Sequence, residues 1–268
     1  MTEYIHKRPG RERTTEATPV RALNRGLDVL DMLAKSEGAS LSEVSRQAKL
    51  VPSTAYRILE TLTARRYVEY SADQGIYRLG MRVFEVGHAY SRYNNLKEQA
   101  RLEMFELAEK TSEGVNLAVL DGEEVVYVHQ EQGNSMMRMF TQEGARAPVY
   151  CTGVGKCLLA WMPEESWAAH LPDSPYPRFT PFTITEESEF YATLRQVKAQ
   201  GFATDAEERE EGVFCMTAPI FGSDGKVVAG LSLSGPSTRM ERLGTDTLQK
   251  MVTAAAARIS DKLMMTTK

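Results

Sequence analysis

The stretch SLSEVSRQAKLVPSTAYRILETLTARR, Ser40 to Arg66, reads as two short helices joined by a tight turn. Ser40 can cap the first helix, and Glu43, three residues later, can reach back to the Ser40 N–H to complete a capping box. Leu41, Val44 and Ala48 then recur at helical spacing. Lys49, Leu50, Val51 and Pro52 form the turn, because Pro52 has no N–H to donate and is tolerated only in a first helical turn. Beyond it, Ala55, Ile58, Leu59 and Leu62 follow the pattern of a buried stripe. The opposite face carries Ser53, Thr54, Tyr56, Arg57, Thr61 and Arg65, hydroxyls and cations that suit phosphates and base edges in a major groove. For these two helices alone, a small solvated helical bundle is the alternative.

The residues after Arg66 decide between the two. Tyr67 to Tyr70 (YVEY) and Ile76 to Leu79 (IYRL) are β-prone, and Ser71 to Gly75 between them is a turn. Helix, turn, helix and hairpin in succession make a winged helix-turn-helix, a DNA-binding arrangement.

Composition bounds the rest. The chain has 268 residues, 42% hydrophobic and 25% charged, enough for two domains with their own cores. No apolar run is long enough to span a membrane and the N-terminus has no apolar signal core, so a cytoplasmic protein without membrane contact is expected. Cys151, Cys157 and Cys215 are odd in number and lack CxxC spacing, and the four histidines are scattered. Neither a disulfide framework nor a metal site is expected. The net charge of −4 is unevenly divided: residues 1–95 hold 15 Lys/Arg against 11 Asp/Glu, and residues 96–268 hold 17 against 25. DNA affinity follows local cations, so this split matters more than the sum.

Residues 1–18 are polar, with KRPGRER at Lys7 to Arg13, and read as a basic disordered arm. Arg8, Arg11 and Arg13 could lie along a minor groove; a solvated tail is the alternative. The winged helix-turn-helix domain then spans 19–80. It opens with a supporting helix from Val20 to Lys35, whose Leu23, Leu27, Leu30 and Ala34 share one face. Residues 81–95 form a linker. Met81 to Tyr93 carries Met81, Phe84, Val86, Ala89, Tyr90 and Tyr93, more apolar surface than a connector needs, so it is read as a helix packing on a second subunit. Asn94 and Asn95 end it. The alternative is a connector packed on its own domain.

Residues 96–268 alternate in type. A helix from Leu96 to Ser112 presents Leu102, Phe105, Leu107 and Ala108. Strands are expected at Val115–Leu120 and Val125–Gln130 about Asp121-Gly122, with a third at Met136–Thr141. Helices follow at Gly153–Met162, Glu164–Leu171 and Glu186–Gln200, the last stopped by Gly201. Two strands, Phe214–Phe221 and Val227–Ser234, and a final helix from Thr245 to Met264 complete an α+β domain of sensor type.

No catalytic constellation stands out. Gly153-Val154-Gly155-Lys156 lacks the spacing and the Ser/Thr of a phosphate loop. Ser232 and Ser234 are not on a nucleophile elbow. Glu207, Glu208, Glu210 and Glu211, mixed with Arg209, read as a solvated charge run. An anion site is the stronger candidate. Thr152 can cap the helix beginning at Gly153 and leave free N–H groups at its positive end. Ser232 and Ser234, two apart on a strand, point the same way and can donate to the same carboxylate. Alternatively the two serines satisfy each other at a strand edge.

From Val20 onward the chain resembles the IclR family of bacterial transcription regulators. PSTAYRIL at Pro52 to Leu59 is similar to that family's recognition helix and YRLG at Tyr77 to Gly80 to the end of its wing. VNLAVLDG at Val115, SMMRM at Ser135, TGVGKCLLA at Thr152, DAEEREEGVFCMTAPIF at Asp205 and LSLSGP at Leu231 continue in the family's order. The resemblance implies a winged helix plus a GAF-like effector domain, working as a homodimer or as a homotetramer made of two dimers. It implies no enzyme activity, cofactor or metal. Its partners would be a double-stranded DNA operator, contacted by Lys49, Ser53, Thr54, Tyr56 and Arg57 with Arg8 and Arg11 of the arm, and a small organic acid. The chain resembles the branch of the family whose members bind small acids such as glyoxylate and pyruvate. The matching pocket positions here are Gly153, Val154, Asp205, Cys215, Ser232 and Ser234, with Val154 and Cys151 larger than the family pattern. The expected function is a ligand-responsive regulator, a repressor of a catabolic operon, responding to a glyoxylate- or pyruvate-like acid or a larger carboxylate. The alternatives are an enzyme acting on a small keto acid and a DNA-free small-acid sensor.

Overall fold

The computed structural model describes residues 20–90, 93–135 and 141–265. The chain divides into two compact units, Met1–Ser91 and Arg92–Lys268.

In the first unit α1 (Arg21–Leu33), α2 (Leu41–Gln47) and α3 (Pro52–Ala64) precede a hairpin of β1 (Val68–Ser71) and β2 (Ile76–Leu79). The capping box forms: Ser40 Oγ accepts from the Glu43 N–H, and the Glu43 carboxylate accepts from the Ser40 N–H at 2.8 Å. Val51 is the N-cap of α3 and Pro52 its first residue, where the missing N–H costs nothing. The turn closes through Lys49 in the left-handed region, φ 52°. Ala55 and Leu59 are buried against Val29, Leu33, Val44 and Val68, with Ile58 and Leu62 half-buried. The wing is fastened to the start of α2 by a two-way pairing of Ala39 with Tyr77.

Three expectations change: the buried face of α1, the length of the linker helix and the place of Asn94 and Asn95. The buried face of α1 is Val29 and Leu33, while Leu23 and Leu27 are exposed. They line a groove of about 680 Å³ with Thr54, Arg57, Ile58 and Leu62 of α3. The linker helix, α4, runs only from Met81 to His88 and buries none of its residues; Phe84 is 67% exposed. Asn94 and Asn95 open the next helix instead of ending this one.

The second unit is built on one antiparallel sheet of order β5-β4-β3-β8-β7-β6. Its strands are β3 (Gly114–Asp121), β4 (Glu124–Glu131), β5 (Arg146–Pro148), β6 (Ala203–Ala206), β7 (Val213–Phe221) and β8 (Val227–Pro236). The β3–β4 turn is Gly122-Glu123, with Gly122 at φ 68°. One face is covered by α5 (Asn94–Thr111) and α9 (Thr245–Met265). The other is covered by α6 (Gly153–Ala160), α7 (Glu187–Gln200) and the loops around them. A 3₁₀ segment spans Glu164–His170 where the sequence pattern predicts an α-helix, and a short α8 (Ser237–Leu243) precedes α9.

In α5 the residues against the sheet are Leu96, Ala100, Met104, Leu107 and Ala108; Leu102 and Phe105 remain exposed. The short strands β5 and β6 are additions to the expected set. Residues 136–140 of the expected third strand lie outside the described residues, as does the basic arm.

Candidate functional site

The two units each bring one group of expected residues together. On α3, Ser53, Tyr56 and Arg57 are exposed and Thr54 is half-buried, with Lys49 exposed in the preceding turn. Tyr56 donates its hydroxyl to Glu60 at 3.0 Å, which fixes the ring on the outer face. Arg57 has no ion-pair partner among the described residues, so its guanidinium is available to an anion. Arg8 and Arg11 lie outside the described residues.

The second group forms where α6 begins. Thr152 Oγ1 accepts from the Gly155 N–H at 3.1 Å, and its own hydroxyl donates to the Pro148 carbonyl at 3.1 Å. The Lys156 N–H goes to the Thr152 carbonyl. That leaves the N–H groups of Gly153 and Val154 without an acceptor among the described residues, as the first turn of a helix requires. Two glycines make the helix start fit: a Cβ on Gly155 would stand 2.1 Å from the Val149 carbonyl, and one on Gly153 would stand 2.8 Å from Thr217 Oγ1. Val154 finds its room over Gly230, where a Cβ would meet its methyl at 3.0 Å.

The sheet supplies the rest through register. Asn116 pairs with Ser232, Ser232 with Thr217, Ser234 with Cys215, and Cys215 with Asp205. Cross-strand partners point to one face, so groups from four strands gather with the two serines on the face toward α6. Asn116, Thr217, Ser232, Ser234 and Asp205 are all buried. Ser232 and Ser234 lie 3.2 Å apart, oxygen to oxygen, and Asn116 Nδ2 donates to Ser234 at 3.3 Å. The serines do contact each other, but on a central strand and not at an edge.

Asp205 sits at the acid end. Its carboxyl accepts from the Glu208 N–H at 2.8 Å. Burial pushes it up to about 7, with Lys156 pulling down and Glu208 pushing further up. Burial likewise raises the Cys215 thiol, helped by Asp205, and the Tyr127 hydroxyl, next to Cys215 and Asp205. Cys151 is pushed up to about 12, mainly by burial. These thiols are therefore neutral and not nucleophiles.

One expectation is overturned here. Glu208 is no part of a solvated charge run: it is buried and ion-paired with buried Lys156. Its loop is pinned by Thr183, whose hydroxyl donates to the Glu208 carbonyl at 2.7 Å, and by Thr180, which donates to the Glu207 carbonyl at 2.7 Å. Arg209 lies over the Phe179 ring at 3.9 Å. Sequence reasoning misses Asn116, Thr217, Lys156 and Glu208, whose roles depend on cross-strand or distant pairings. The arrangement is suited to an anion; among the described residues no group of three or more His, Cys, Asp or Glu side chains is placed to hold a metal.

Comparison with known proteins agrees with both halves. Residues 22–72 match the IclR helix-turn-helix domain and residues 88–261 match the bacterial transcriptional regulator IclR C-terminal domain. The chain is 36% identical over 241 residues to the HTH-type transcriptional regulator BhcR of Paracoccus denitrificans, covering 90% of this chain and 86% of that one. It is 34% identical over 242 residues to the HTH-type transcriptional repressor AllR of Escherichia coli, covering 90% and 89%. An IclR homolog from Microbacterium hydrocarbonoxydans, solved with 4-hydroxybenzoate, superposes with a TM-score of 0.80 at 25% identity, covering 91% and 99%. Winged helix and effector-binding domain thus belong to a DNA-binding regulator and not to an enzyme. The chain is a member of the IclR family of bacterial transcription regulators.

Proposed function

We propose that this protein is a cytoplasmic repressor of a catabolic operon, released from or retained on its operator by a small organic acid held in the second unit. The supporting observation is the row of buried hydroxyl, amide and acid groups, with the half-buried Cys215 thiol, on the sheet face toward the free N–H groups of Gly153 and Val154. A polar interior of this kind costs stability unless something completes its hydrogen bonds. The effector carboxylate sits over the two N–H groups, where the helix dipole favours negative charge, with Ser232 and Ser234 beside it. Asp205 faces the oxo or hydroxyl group of the acid, and Cys215 lines the floor. Glyoxylate- and pyruvate-like acids fit this chemistry. The carboxylic acid bound by the Microbacterium homolog supports the wider class, and the repressor AllR supports the direction of control.

In the other unit Lys49, Ser53, Thr54, Tyr56 and Arg57 contact operator DNA, with Arg8 and Arg11 reaching a minor groove. The chain works as a homodimer or a dimer of dimers, and the exposed Met81, Phe84, Val86 and Tyr90, on α4 and just beyond it, supply the apolar contact. A two-fold dimer presents two recognition helices, so footprinting should protect a pseudo-palindrome with half-sites one helical turn apart, or a multiple of it. A single asymmetric half-site would contradict the dimer. Arg57→Ala should weaken operator binding. If Arg57 reads a guanine, discrimination falls by about 1–3 kcal/mol; if it holds phosphate, all sequences weaken alike and the salt slope drops by about one.

A further inference from the structure

Three polar atoms on the α6-facing side of the sheet have no partner although they are fully enclosed, one of them Gln130 Nε2 on the residue directly across from Asn116. Thr217, 0% exposed, has a hydroxyl with no hydrogen bond, and Asn116, 1% exposed, has an unpartnered Oδ1. Buried groups of this kind are almost always satisfied, and an exception calls for a missing partner. Both stand in one row with Ser232, which is the direct cross-strand neighbour of each. The Thr217 oxygen is also the atom nearest to where a side chain on Gly153 would begin, at 2.8 Å. It therefore adjoins the helix start proposed to hold the carboxylate.

Ser234 Oγ accepts from Asn116 Nδ2 and adjoins the Cys215 thiol, which burial keeps protonated. Ser232 Oγ lies 3.2 Å from Ser234 Oγ, and either hydroxyl can donate to the other. The site thus offers the unpartnered Thr217 hydroxyl as a donor and Asn116 Oδ1 as an acceptor, beside the Ser232–Ser234 pair. A carboxylate can use the hydroxyls. It cannot satisfy Asn116 Oδ1, which needs an N–H or O–H.

We infer that Asn116 and Thr217 form a second edge of the effector site that selects acids bearing a hydroxyl next to the carboxylate, as an α-hydroxy acid or a hydrated α-oxo acid. The inference rests on the effector site proposed above. Thr217 donates to the ligand's hydroxyl oxygen and Asn116 accepts that hydroxyl's proton, while Asp205 takes the second hydroxyl of a hydrate. The methyl of Thr217, with that of Val154, packs toward Gly230 and fixes the rotamer that turns its hydroxyl toward α6.

The test uses the full-length protein and matched pairs of probes, glycolate against acetate and lactate against propionate, by calorimetry and thermal shift. The parent should prefer each hydroxy acid by about tenfold or more, the size of one good hydrogen bond in a closed site. Thr217→Val keeps the shape of the side chain, and Asn116→Ala removes the acceptor. Each should lower that preference to near unity, weakening the hydroxy acids far more than acetate or propionate. Operator binding without acid serves as the check that the variants fold. Equal loss for both members of a pair, or an unchanged preference, would overturn the inference. Ser232→Ala/Ser234→Ala separates the two levels: if it abolishes binding of all four acids while Thr217→Val alters no preference, the site stands and this edge does not. If none of the acids binds the parent, or the double variant binds them as the parent does, both readings fail.

Discussion

The two faces of the six-stranded sheet are made from the same three central strands and have opposite chemistry. Toward α5 and α9, β3 presents Val115, Leu117 and Val119, β7 presents Met216, Ala218 and Ile220, and β8 presents Ala229, Leu231 and Leu233. All nine are apolar and buried. Toward α6 the intervening positions are Asn116, Ala118, Cys215, Thr217, Pro219, Gly230, Ser232 and Ser234. Because side chains alternate along a strand, a slip of one residue would exchange the two sets and bury hydroxyls in the dry layer. The dry face therefore sets the register. The polar face, carried along by it, is free to be specialised for a ligand at the cost of a weaker core.

The largest expected effect comes from the ion pair beneath the polar face. Lys156→Met leaves the buried Glu208 carboxylate without its counter-charge, and loss of one partner of a buried pair costs roughly 3–5 kcal/mol. Chemical denaturation should show it. The double variant Lys156→Met/Glu208→Leu should recover most of the loss, since well-packed apolar replacements of buried pairs are often near neutral. If the single variant were as stable as the parent, Lys156 would not be neutralising an interior charge.

Next, neighbouring positions on β8 should behave differently. Leu231→Ala opens a cavity in the dry layer and should cost about 2–5 kcal/mol. Ser232→Ala, one residue along, loses its hydrogen bond to Ser234 and should cost only about 0.5–1.5 kcal/mol of stability, but weaken binding of an acid roughly 10- to 150-fold if its hydroxyl donates to a carboxylate. Comparable stability losses at both positions would erase the distinction between the faces.

A further effect should appear with pH. Asp205 is held at about 7 against an ordinary 3.8, so the folded chain keeps a proton there that the unfolded chain has released. Stability should therefore fall as pH rises from about 4 to about 7, then level off. Binding has the same sign. Above pH 7 the new charge on Asp205 joins Glu208 and faces the effector anion, with Lys156 inside and Arg209 at the exposed rim as the cations acting on the site. Tyr127, Cys151 and Cys215 stay neutral throughout. Affinity for a small acid, itself ionised over this range, should drop up to about tenfold per pH unit above 7, and Asp205→Asn should flatten the profile.

How much of this is legible without the structure depends on whether the signal is local. The alternation LSLS at Leu231 to Ser234 displays the two faces directly, and the capping box at Ser40 and the hairpin glycine at Gly122 fix their own turns. The helix α1 misleads because it carries two apolar stripes, and periodicity cannot say whether Leu23 and Leu27 or Val29 and Leu33 face the core. Strands β5 and β6, with only three and four residues, are too short to show alternation. Asn116 and Thr217 look like ordinary strand residues until register places both beside Ser232. Glu208 looks solvated because its neighbours are acidic; only the fold brings Lys156, 52 positions away, against it.

On the function proposed above, the polar face is the effector site and its occupancy governs DNA binding. The direct measurement is a gel shift on the operator, titrated with the best acid from a thermal-shift screen of small carboxylates, for the parent and for Ser232→Ala/Ser234→Ala. Without acid the two proteins should bind DNA equally, since the serines lie in the other unit. With acid the parent's DNA affinity should change while that of the double variant stays where it was. If the double variant responded at the same acid concentration as the parent, the polar face would be structural and the effector would bind elsewhere.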